Sequence, residues 1–193
     1  MAFERILTLP WLARVEPPGT TRAFAQSRAT SFSATAGFAL AGSEFNAATL
    51  GTGIVVPGGC STITATFKFG INSFHTDAWV IPGPGFAFAQ VGIDFFMVRA
   101  SRDSSTGAIT EEVFTQQLIL SRSIAPVTWI ALDNGGSFFR RPFAVTLGRP
   151  TGSREIWQFI MRVFAQASGG GIVSGANADV RGFLGVISVT GTP

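Results

Sequence analysis

Residues 60–70 read CSTITATFKFG, and the order of side chains in this stretch decides the fold class. Ile63, Ala65, Phe67 and Phe69 fall on one side of an extended chain, and Thr62, Thr64, Thr66 and Lys68 fall on the other. Successive side chains of a strand point to opposite faces, so alternation of apolar and polar groups marks a half-buried β-strand. The same pattern runs from Ser31 to Phe45, with Phe32, Ala34, Ala36, Phe38 and Leu40 at even positions and Ser31, Ser33, Thr35, Gly37 and Ala39 between them.

Outward from these two segments, turn signals recur at Pro57-Gly58-Gly59, Pro82-Gly83-Pro84-Gly85, Ser101 to Gly107, Asp133-Asn134-Gly135-Gly136, Gly148 to Gly152 and Ser168 to Gly171. They delimit further strand candidates at 86–100, 108–122, 127–132, 138–147, 155–167, 172–180 and 182–189. Roughly eight to ten strands follow, an all-β chain best read as an antiparallel β-sandwich of jelly-roll-like form, with a closed barrel as the alternative. Residues 1–21 read as an extended or short helical N-terminal arm with its linker, Arg14 to Thr21, ahead of one sandwich domain at 22–193. The start, Met1 to Ala13, loosely imitates a secretion signal, but Glu4, Pro10 and Trp11 argue against one.

Two segments are apolar on both faces. In the first arm of the hairpin expected across SRDSSTG, Ala87, Ala89, Val91, Ile93, Phe95 and Met97 oppose Phe86, Phe88, Phe96 and Val98. In EIWQFIMRVFAQA, Trp157, Phe159, Met161 and Val163 oppose Ile156, Ile160 and Phe164; a helix is the alternative there, and Trp, Phe, Ile and Val enrichment favours a strand. A strand apolar on both faces needs cover on both, either from the arm or a long loop, or from a second subunit.

Composition bounds the function. The chain has 193 residues, 46% hydrophobic and 13% charged, which excludes disorder, and about 70% of the extended-chain surface is buried in a domain of this size. No run of about 18 apolar residues marks a transmembrane helix. Cys60 is the only cysteine, so neither an intramolecular disulfide nor a cysteine zinc cluster forms. The net charge of +3 rests on scattered arginines, with only Arg140 and Arg141 adjacent, and this speaks against nucleic acid as a partner. Nineteen Phe and no Tyr point to dry rather than half-wet aromatic sites.

Chemistry is sparse. His75 and Asp77 lie on one side of a strand with Ser73, a base, orienter and hydroxyl in principle, yet without a nucleophile elbow. Glu111 and Glu112 point to opposite faces, with Asp103 across the hairpin loop, and read as a charged solvent edge rather than a calcium site. Gly169-Gly170-Gly171 matches no phosphate-binding loop, and Asn46, Asn72, Asn134 and Asn177 all fail the N-glycosylation pattern. No catalytic residue, cofactor or metal site is assigned.

The expectation is therefore a non-enzymatic, self-assembling structural subunit, a shell, filament or appendage component whose partner is itself. Its interface candidates are Ile6, Leu7, Leu9, Trp11, Phe86, Phe88, Phe96, Trp157 and Phe159. Two alternatives are a barrel that binds or cyclises an apolar small molecule, and a basic sandwich acting at membranes, the latter possible but not favoured.

Overall fold

The computed structural model describes residues 2–80, 85–102, 105–125, 132–136, 143–151 and 155–193, with side chains for all of these except 38–41, 132–136, 143 and 171–173. Among the described residues there are ten strands and no helix: β1 (Phe3–Leu7), β2 (Leu12–Glu16), β3 (Ala23–Ala25), β4 (Ser31–Val55), β5 (Thr62–Val80), β6 (Gly85–Arg102), β7 (Ile109–Ala125), β8 (Leu132–Gly136), β9 (Phe143–Pro150) and β10 (Ile156–Thr192). All pair antiparallel, in two sheets packed face to face.

Both layers share β4 and β10. The first half of β10, Ile156 to Gly171, lies between β4 and β6, giving the order β2-β4-β10-β6-β7. Its second half, from Ser174, lies between β5 and the first part of β4, and β1 takes over that edge from Ile187 to Gly191. On the far side of β5 run β9, along Thr62 to Phe69, and β8, along Phe74 to Ala78. The register of β10 against β4 shifts between Gly169 and Ser174, where the glycine triplet lets both strands turn from one layer into the other.

The core sits between the layers. Phe95 of β6 meets Phe67 and Phe69 of β5 at centroid distances of 5.3 and 5.1 Å, while Trp157, Phe159, Met161 and Val163 are fully buried on the same inner face. Each such side chain contributes roughly 1.5–3 kcal/mol by leaving water.

Four sequence expectations change, one being that Gly148 to Pro150, expected to open a turn, continue β9 against Thr62 to Thr64 of β5. The N-terminal arm is not helical: β1 and β2 are extended and complete sheet edges, because their backbones find partners in β10 and β4. Ser168 to Gly171 is no turn but a corner within one continuous strand. Asp133 to Gly136, expected as a turn, forms β8 because pairing with β5 outweighs local turn preference. By contrast Gly59 and Gly107 have φ of 83° and 71° and do close turns, as their loops imply. The Pro82-Gly83-Pro84 turn, Arg140-Arg141, Asp103 and most of the 127–132 strand lie outside the described residues.

Candidate interaction surface

The outer face of the first sheet is built from every second residue of five strands. Register places Val55, Ile156 and Ala100 in one row, Gly53, Gln158, Val98 and Val113 in the next, and Leu12, Gly51, Ile160, Phe96 and Thr115 in a third. Leu12 is 63% exposed, Val55 58%, Val113 57% and Ile156 48%, with Phe96, Val98 and Ile160 half-buried between them. The side chains interrupting this patch are Gln158, two glycines, Ala100, Thr115 and the exposed Glu111, which register sets beside Ala100 in the first row. Contiguous exposed apolar side chains rimmed by polar ones are the form that interaction sites take.

A polar row ends the patch. Asp94, 1% exposed, accepts two hydrogen bonds from Arg162, Nε at 2.9 Å and Nη2 at 2.7 Å, and one from the Gln117 amide at 2.8 Å. Arg162 also reaches Glu16 at 3.3 Å and lies over the Phe96 and Phe45 rings at 5.0 and 5.9 Å. One guanidinium thus pins β2, β6 and β10 together and fixes the edge of the apolar rows. Of the other cations near the face, Arg14 pairs with Glu16 and Arg102 donates to the Gly107 carbonyl, while Arg99, paired with Glu112 and Glu155, sits in the inner row of Trp157.

The interface candidates separate by depth. Trp11, Trp157 and Phe159 are in the chain's own core and present nothing to a partner, because their strands turn those positions inward. Ile6, Leu9 and Phe86 are exposed, and Leu7, Phe88 and Phe96 are half-buried. The arm does not cover the outer face of β6; its strands extend the sheets sideways, leaving Phe86 and Phe96 on an open surface. Leu12, Val55, Val113 and Ile156 were not singled out by sequence reading, although the second apolar face of 155–167 already contained Ile156.

His75 and Asp77 are both on β5, two positions apart. Asp77 Oδ2 accepts from Asn177 at 3.4 Å, and its Oδ1 is enclosed without a partner among the described residues. Register sets His75 opposite Asp179. Among the described residues no group of three metal-ligating side chains comes together. Among the described residues two clefts open on the surface: one of about 430 Å³ beside Ala13, Ala25 and Arg28, and one of about 260 Å³ beside Phe24, Asn72 and Arg181. Neither is the enclosed, Phe-lined cavity that a ligand-binding barrel needs. Among the described residues no helix is long and apolar enough to cross a membrane. Neither the protein-family models nor the curated proteins compared with this chain match it.

Proposed function

We propose that this chain is a non-enzymatic structural subunit that associates with copies of itself through the outer face of the β2-β4-β10-β6-β7 sheet. The observation that carries the reading is the apolar patch around Leu12, Val55, Val113 and Ile156, left open on a sheet whose other face is a complete core. Covering such rows against a second copy removes apolar area from water, at about 25 cal/mol per Å² before association costs. Membrane action is less well supported, since Arg14 and Arg162 beside the patch are matched by carboxylates and Arg102 donates to the Gly107 carbonyl. A cationic membrane face needs them unmatched.

The double variant Val55→Lys/Ile156→Lys tests the reading. Both side chains are on the open face, so stability is expected within about 0.5 kcal/mol of wild type per site. Sedimentation velocity is expected to show loss of the species joined through this face. Association undiminished by two ammonium groups in the patch contradicts the proposal.

A further inference from the structure

The free margin of the first sheet has a feature of its own. β7 runs for 17 residues as its last strand, and among the described residues its only strand partner is β6. Its far end is tied down: the Thr76 hydroxyl of β5 bonds to Ser121 at 2.8 Å and Ser123 at 2.9 Å. From Ile109 to Leu118 nearly every residue of β7 is exposed on both faces, Phe114 alone tucking inward against Trp157 with ring centroids 5.9 Å apart. A long edge with no register shift from Ile109 to Leu118 is a template for another strand, and natural sheets often blunt such edges with lysine or proline. The segment ITEEVFTQQLI contains neither.

We infer that this edge pairs with the same edge of a second copy, antiparallel about a two-fold axis at Phe114, an inference that rests on the self-assembly reading above. A two-fold normal to the sheet keeps outer faces together, so only residues on the same face of β7 come opposite each other. Centred on Phe114, the pairing sets Glu111 against Gln117, Glu112 against Gln116, Val113 against Thr115 and Ile109 against Ile119. Each carboxylate meets a carboxamide donor, and apolar residues meet apolar or hydroxyl ones. Gln117 gives one amide hydrogen to Asp94 and keeps a second for Glu111 of the other copy.

Neighbouring registers fail on the same residues. Centring on Glu111 or Glu112 opposes like charges, which is destabilising. Centring on Val113 puts Glu112 against Phe114, and centring on Thr115 puts both carboxylates against Ile119 and Leu118. Parallel in-register pairing opposes Glu111 to Glu111. The favoured segment also ends where β7 leaves its register with β6, since Gly92 pairs with Ile119 and Val91 with Ser121. The two glutamates thus select one partner geometry instead of merely blocking the edge.

Cysteine pairing in the full-length chain tests this. Opposed residues lie about 4.5–5.5 Å apart between Cα atoms, within disulfide reach, whereas diagonal neighbours at about 7–8 Å are beyond it. Val113→Cys/Thr115→Cys, at two exposed sites, is expected to give a covalent dimer under mild oxidation, and each single variant is not. Cys60 is buried, and the unsubstituted chain serves as its control. Independently, Gln116→Lys is expected to tighten the dimer roughly tenfold and Gln116→Glu to weaken it roughly tenfold, because two such pairs form per dimer. A chain that self-associates without the 113–115 cross-link and indifferently to residue 116 overturns edge pairing alone. A chain that is monomeric throughout overturns both this and the self-assembly reading.

Discussion

Several glycines of this chain are seats for rings. Register sets Gly70 opposite Phe183, Gly92 opposite Phe164, Gly175 opposite Trp79 and Gly191 opposite Phe3, and in each pair the aromatic ring occupies the space a glycine Cβ would fill. A bare backbone position lets a neighbouring ring lie flat across the strand, restoring the packing that glycine forfeits. Four of the 23 glycines are thereby tied to three phenylalanines and one tryptophan, which counting each residue type alone does not show. At Gly92 a methyl group would sit 2.6 Å from the Phe164 ring and 2.8 Å from the Leu118 carbonyl oxygen, which is backbone and cannot rotate away. Gly92→Ala is therefore expected to cost about 2 kcal/mol and lower the unfolding midpoint by about 5 °C. Gly58→Ala, with nothing within 4 Å, is the calorimetric control expected to leave it unchanged. Which glycine faces which ring was not legible beforehand, because that depends on register between strands separated by up to 188 positions, as for Phe3 and Gly191 (191 − 3).

At the level of elements, two-residue alternation located the inward faces of β4, β5, β6 and β10 correctly, since Phe32, Phe67, Phe95 and Phe159 are all in the core. The strand reading of 155–167 over a helix also holds. What alternation could not supply was length: β10 continues through its glycine triplet for 37 residues because strands on both sides carry its hydrogen bonds around the corner. The N-terminal strands show the same dependence on distant partners. Trp11, read as an interface residue, is 2% exposed, and its backbone N–H donates to the Ser27 carbonyl at 2.7 Å. Deleting residues 1–16 removes that indole and two edge strands together. The expected loss exceeds the 3–5 kcal/mol typical of truncating a buried tryptophan, measured by denaturant unfolding. Ile6→Ser, on the exposed side of β1, is expected to stay within about 0.5 kcal/mol. An oligomer that dissolves on such a deletion reports lost folding, so point changes on the open face are the cleaner probe.

For the molecule as a whole, one sheet face is a filled core and the opposite face of the same sheet still displays apolar rows bounded by the Asp94 and Arg162 pair. The apolar second face of residues 86–100 and 155–167 was visible in sequence, and so was the need for cover; that the arm would extend the sheets sideways was not, because it turns on hydrogen bonds to β10 and β4. The candidate site was legible only in part for a related reason, as Leu12, Val55 and Val113 become neighbours of Ile156 and Phe96 only once five strands are in register. The central claim is that this face, rather than a pocket or a catalytic group, is what the chain uses. Light-scattering mass across a hundredfold range of protein concentration tests it most directly. The account predicts a mass at or above twice the 20.3 kDa of one chain, falling only on dilution. A constant mass of one chain at every concentration contradicts it.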